Sequence, residues 1–226
     1  MRDEVRVWTV SLDVSPDRRL HLESLLSPDE RERADRYLVR APRERFVVAR
    51  GTLREVLGRS TGLPPEQLRF SYPCVCGRPD CVPSRRKPRL EVDHALPSPR
   101  FNVAHTEGLA LLAVAVGREV GVDVERIERD AAIGPIVERA FGADDGAALR
   151  ALPDEQQAEA FYRGWTRKEA YAKGTGHGLG PGDNGEAARW SFCDLQVPAG
   201  YVASLAVEGS ECVVRYSDEY SKAQTQ

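Results

Sequence analysis

Trp165-Thr-Arg-Lys168-Glu169-Ala-Tyr-Ala-Lys173-Gly-Thr-Gly176-His-Gly178-Leu179 reads as the end of a helix that runs into a glycine-rich turn. Residues four apart share a helix face, so Trp165, Glu169 and Lys173 form one stripe with Lys168 on its flank. The stripe begins apolar, with Phe161 and Trp165, and then turns charged. That change describes a helix passing from a packed base into a polar cleft. Lysine usage points the same way. Of 32 basic residues only four are lysines (Lys87, Lys168, Lys173 and Lys222), and two of the four lie in this helix. Lysine offers a compact ammonium whose proton can be transferred, which arginine does not. The plainer alternative is a solvated helix with a Glu–Lys pair one turn apart.

Outward from this helix, the composition is that of a soluble globular protein, with 41% hydrophobic and 30% charged residues in a chain of 226. A net charge of −3 argues against broad nucleic-acid binding, though a local basic cleft is compatible with it. No apolar run reaches membrane-spanning length and Met1-Arg-Asp-Glu-Val is not a signal peptide, so a cytoplasmic protein without membrane attachment is expected. Five cysteines, an odd number, argue against a disulfide framework. Cys74, Cys76, Cys81 and His94 could supply zinc ligands, but their spacing is not that of a standard finger, and reduced loop thiols are the simpler reading.

Along the chain, Val5 to Leu12 alternates as a half-buried strand. Ser27-Pro28-Asp29-Glu30 carries an N-cap, a proline at the first helical position and a capping-box glutamate, predicting a helix to about Arg40. A second helix is expected from about Arg43 to Ser60, closed by Gly62 and Pro64-Pro65. A strand at Leu68–Tyr72 precedes some thirty residues read as loop. Strands follow at Phe101–Ala104, Leu109–Val116 and Val120–Ile127, then helices at Ala131–Phe141, Asp144–Leu152 and Asp154–Lys173. Strands at Trp190–Val197, Tyr201–Val207 and Cys212–Tyr216 close the chain, with a frayed tail after Asp218. The order predicts an α+β protein of two similar halves, residues 1–118 and 119–226.

Gly121-Val122-Asp123-Val124-Glu125 is the second informative stretch. In a strand Val120, Val122 and Val124 point one way and Asp123 and Glu125 the other, while Gly121 admits a backbone or ligand at close range. Two carboxylates on one face repel unless solvent or a cation intervenes. With Glu169 they make an acidic triad whose oxygen ligands suit magnesium. The alternative is an exposed strand face paired with nearby arginines. His105, beside Ala104 at the end of a strand, is a candidate phosphate contact or a structural histidine. Lys87 leaves the arginine-rich loop. Arg43 and Arg50, seven apart on one helix face, could clamp a phosphate, with Arg45 between them.

In order, Lys87-Pro88, Phe101-Asn102-x-x-His105, Gly121-x-Asp123-x-Glu125 and Trp165-x-x-Lys168-Glu169-Ala-x-x-Lys173-x-x-Gly176-x-Gly178-Leu179 resemble the 4′-phosphopantetheinyl transferases. The longer, surfactin-synthetase-activator type is the better match, over about Ser27 to Leu179. The resemblance implies a monomeric pseudo-dimer with coenzyme A bound between its halves. It also implies transfer of the phosphopantetheine arm to a serine of an apo carrier protein, with release of 3′,5′-ADP. Asp123, Glu125 and Glu169 would then hold magnesium, Glu169 would activate the serine, and Lys173 would stabilise or protonate the leaving phosphate. Arg43, Arg50, Lys87, Ala104, His105, Asp123, Lys168 and Lys173 would line the coenzyme A site. Two positions depart from the family pattern: Ala104 replaces the usual serine and Arg86 the usual glycine. A non-catalytic coenzyme A or carrier-binding module and an unrelated magnesium phosphodiesterase are the competing readings.

Overall fold

The computed structural model describes residues 4–74, 86–91, 98–128, 137, 141–178 and 186–217. The helix expected at Ala131–Phe141, together with Cys76, Cys81, His94, Leu179 and the tail after Asp218, lies wholly or largely outside these residues. The chain folds as an α+β protein. Strand β1 (Glu4–Ser11) is followed by α1 (Pro16–Ser24), α2 (Pro28–Asp35) and α3 (Arg40–Thr61). A short antiparallel pair, β2 (Arg69–Ser71) with β3 (Arg89–Glu91), precedes β4 (Pro99–Thr106), β5 (Leu109–Val116) and β6 (Val120–Arg126). Then come α4 (Ala143–Arg150), α5 (Asp154–Thr175), β7 (Trp190–Asp194), β8 (Tyr201–Glu208) and β9 (Val213–Ser217).

Two sheets form the centre. One runs β4-β5-β1-β9, with β9 parallel to β1 and the other pairs antiparallel; the second runs β6-β8-β7, all antiparallel. Strand β1 is buried on both faces. Trp8 and Val10 join Leu22, Leu53, Leu57 and Leu112 in a core beneath α1 and α3. Val5 and Val7 instead join Leu111, Val120, Val122, Val124 and Leu205 in a core between the two sheets. The layers therefore run helix, sheet, sheet, helix, with α5 packed on β6 and β8. Inside, the Asn102 side chain accepts a 3.0 Å hydrogen bond from the Val122 N–H, so a side chain of β4 satisfies the open edge of β6.

Three boundaries differ from the sequence expectation. The helix begun at Ser27 stops at Asp35, and α3 starts at Arg40, taking Pro42 into a first turn whose N–H groups need no helical partner. Ser15-Pro16-Asp17 starts α1 by the same capping signal that marks α2. Strand β4 runs on through His105 to Thr106, and the chain turns at Gly108, whose φ is 73°.

The capping box at α2 has a second use. Glu30 accepts from the Ser27 N–H and also receives the guanidinium groups of Arg50 and Arg54 from α3. Arg54, 1% exposed, further donates to the carbonyls of Pro65 at 2.6 Å and Leu68 at 3.2 Å. Burial pushes the Glu30 carboxyl up, but Arg50, Arg54 and Ser27 bring it below its ordinary value. Its stabilisation is therefore present at neutral pH and is lost as the pH falls through that lowered value. Glu30→Ala, which leaves Arg54 without its counter-charge, should cost about 3 kcal/mol in urea unfolding at neutral pH. An unchanged urea midpoint would show that the pair does not hold α2 to α3.

Candidate active site

Strand β6 and helix α5 cross with almost no side chain between them. A Cβ at Gly121 would run into the carbonyl oxygen of Ala170 and the backbone of Gly174, and a Cβ at Gly174 would lie 2.6 Å from Trp190 Cζ3. The close backbone approach expected at Gly121 is thus made by α5. Either side of this crossing the polar residues face each other. Val120, Val122 and Val124 enter the inter-sheet core, while Asp123 and Glu125 face the helix.

The stripe on α5 meets them residue by residue. Lys173 Nζ donates to Asp123 Oδ1 at 2.5 Å, and the Trp165 indole N–H donates to Glu125. Glu169, one turn from each, is close enough for its charge to bear on both carboxylates. Asp123 is 3% exposed, and its Oδ2 has no hydrogen-bond partner among the described residues. Burial first, then repulsion from Glu169, pushes Asp123 up to about 6 despite Lys173. Burial, then repulsion from Asp123 and Glu169, pushes Glu125 up to about 7.

These three carboxylates are the oxygen-donor set that a hard divalent cation takes, and the orphaned Asp123 Oδ2 is a ligand atom without a partner. The residues fit magnesium in kind. Among the described residues, however, no three His, Cys, Asp or Glu side chains converge as a finished metal site does. The Lys173 ammonium neutralises Asp123 instead.

A second feature adjoins the cluster. A hollow of about 270 Å³ is walled by Tyr37, Pro42, Arg45, Phe46, His105, Thr106 and Glu107, between the start of α3 and the end of β4, with the Glu107 carboxylate paired to Arg126 at 2.9 Å. His105 reaches solvent, yet the protein packed around its ring, and then the charges of Lys173, Arg45 and Arg33, hold its pKa below the ordinary value. Of these cations Arg45 lines the hollow beside His105, so the Arg45–His105 side is the one suited to an anion, opposite in charge to Glu107.

The other expected contacts lie elsewhere. Arg43 donates to Glu23 at 2.6 Å and Asp35 at 3.0 Å; Arg50 is held by Glu30 and Tyr72 and stacks on Phe70. Neither lines the hollow; Arg45, between them on the helix, does. Ala104 points into the inter-sheet core, and Lys168 lies over the Phe141 ring at 4.7 Å. The three ammonium hydrogens of Lys87 are directed at Glu119, the Val120 carbonyl and the Gly174 carbonyl, so a phosphate contact would displace one of them. Tyr37 and Phe46 were not singled out by the sequence; an aromatic pair flanking Arg45 was the available signal.

The raised carboxyls carry a pH dependence. Unfolding lets Asp123 and Glu125 return to ordinary carboxylate values, so between those values and the raised ones the native state binds more protons than the unfolded chain. This contribution is complete below the ordinary values and is lost as pH rises through about 6 and about 7. In metal-free buffer this contribution to the unfolding free energy should therefore fall away between roughly pH 4 and pH 7, and Glu125→Gln should flatten the fall. The same slope in wild type and Glu125→Gln would show that the Glu125 carboxyl is not raised in the folded protein.

A sequence profile of the 4′-phosphopantetheinyl transferase superfamily matches residues 119–224, which carry β6, α5 and the acidic cluster. The 4′-phosphopantetheinyl transferase HetI of Nostoc sp. is 35% identical over 222 residues, 92% of this chain and 90% of that protein. The 4′-phosphopantetheinyl transferase Sfp of Bacillus subtilis is more distant, 25% identical over 77% of this chain and 72% of its own length. The mouse L-aminoadipate-semialdehyde dehydrogenase-phosphopantetheinyl transferase is 26% identical over 69% of this chain and 50% of its own. With near full-length similarity to HetI and the superfamily profile falling on the half that bears the cluster, this chain belongs to the 4′-phosphopantetheinyl transferases.

Proposed function

We propose that this enzyme moves the 4′-phosphopantetheine arm of coenzyme A to a serine of an apo acyl or peptidyl carrier protein, with magnesium, releasing 3′,5′-ADP. The observation that carries this reading is the gathering of Asp123, Glu125, Glu169 and Lys173 about one backbone crossing, beside a hollow lined by Arg45 and His105. Coenzyme A needs both features: a place for a phosphate of its nucleotide end and a charged centre at its pyrophosphate.

In this reading Arg45 and His105 hold a phosphate in the hollow, and Lys173, one-third exposed, faces the pyrophosphate. The serine oxygen bonds to the phosphorus that bears pantetheine as the bond to 3′,5′-ADP breaks. Glu169 takes the hydroxyl proton, directly or through one water. Lys173 stabilises or protonates the departing phosphate oxygen. Asp123, Glu125 and Glu169 would hold magnesium, which supplies charge neutralisation at the pyrophosphate. Residues 1–118 and 119–226 act as two similar halves about the ligand. In support, each sheet carries one 22-residue helix closed by a glycine at positive φ, Gly62 at 74° and Gly176 at 78°. Action as a cytoplasmic monomer completes the reading. Among the described residues no helix is long and apolar enough to cross a membrane.

Incubation of an apo carrier protein with the enzyme, coenzyme A and magnesium should add one phosphopantetheine mass, and a chelator should prevent it. Glu169→Gln changes charge and little volume; transfer should fall by at least about 100-fold while the thermal midpoint is retained. Wild-type turnover by Glu169→Gln would remove Glu169 from the chemistry.

A further inference from the structure

Lys87 is the most thoroughly committed lysine among the described residues. Its side chain is 8% exposed, and its ammonium donates to Glu119 Oε2 at 2.7 Å, the Val120 carbonyl at 2.8 Å and the Gly174 carbonyl at 2.8 Å. An ammonium has three N–H bonds, so the donor capacity is filled. Glu119 is itself fixed by Arg89 at 3.2 Å and Arg100 at 3.4 Å.

The two carbonyls are what matter. Gly174 follows Lys173 in the last turn of α5, where carbonyls have no helical partner of their own. Val120 opens β6, three residues before Asp123. At this crossing Gly121 and Gly174 contribute no side chains to hold strand against helix. The Lys87 ammonium supplies that hold, from a third segment of the chain.

We propose that Lys87 is a positioning residue, which pins the end of α5 to the start of β6 and so keeps Lys173 aligned with Asp123, rather than a ligand of a coenzyme A phosphate. The proposal rests on the roles given above to Lys173 and Asp123. An ammonium suits it because its three donors spread in three dimensions toward acceptors on three segments; a planar guanidinium cannot. A phosphate at Lys87 would have to displace one of these three partners, two of them carbonyls of buried residues.

The test compares wild type, Lys87→Met, Lys87→Arg and Glu119→Gln in the full chain. Coenzyme A affinity is measured by calorimetry, kcat and KM are measured with an apo carrier, and amide exchange is followed over residues 170–175. Positioning predicts that Lys87→Met and Lys87→Arg each lower kcat about tenfold or more while coenzyme A affinity changes less than about threefold. Exchange should quicken in the last turn of α5 and stay unchanged in α3. Glu119→Gln, which weakens the grip on the ammonium, should lower kcat as well. A phosphate ligand predicts the opposite pattern: Lys87→Met weakens coenzyme A about tenfold or more with exchange unchanged, while Lys87→Arg and Glu119→Gln keep the wild-type kcat and exchange. That pattern would overturn the proposal. Were Lys87→Met not to fold, Lys87→Arg and Glu119→Gln still separate the two. Failure of wild type to modify any carrier would count against the functional reading, whereas affinity and exchange would still decide the place of Lys87.

Discussion

Strand β6 and helix α5 meet backbone to backbone, and the rest of the site depends on that contact. Gly121 lies against Ala170 and Gly174, closer than any Cβ permits. A helix resting on a sheet normally stands off by the length of its side chains. Here the missing side chains let α5 drop onto the strand, so that short acidic side chains on β6 and longer residues on α5 meet from both sides. The apolar face of β6 fixes the strand from behind, with Val120, Val122 and Val124 locked between the sheets. The site therefore stands on regular elements rather than on loops, which favours precise geometry.

The electrostatic arrangement follows from the same closeness. Three carboxylates and one ammonium share a half-buried space, and burial raises Asp123 and Glu125 although Lys173 opposes it. Such a cluster is under-neutralised, a cost in stability that a structural ion pair avoids. Glu30 shows the contrast. It is equally enclosed, but two arginines and a backbone N–H satisfy it and its pKa falls. One fold thus holds a satisfied carboxylate where helices must be joined and under-neutralised ones where β6 meets α5.

Much of this was legible in the sequence because it depends on period. The alternation from Val120 to Glu125 and the four-residue spacing of Trp165, Glu169 and Lys173 each assign a face, and the two faces meet as expected. Capping chemistry placed α2, and the same signal at Ser15-Pro16 marks α1 for a reader who applies it twice. What periodicity does not carry is how far a face is turned. Arg43 and Arg50 do share a side of α3, but the packing of that helix on β1 and β4 brings Arg45 to the hollow instead. The burial of Lys87 was equally invisible, because it is created by Glu119, Val120 and Gly174, residues remote in the chain.

The parallel pairing of β9 with β1 bears on how the chain can be made. Val5 finds its neighbour in Val214, at the far end of the described chain. During synthesis β1 can pair with β5 as soon as that strand emerges, but its other edge stays open until residues 213–217 arrive. An open edge is a template for unwanted strand pairing. Separating the segments as independent fragments would expose that edge permanently, so a split version of this enzyme should aggregate through β1 unless β9 is supplied in trans.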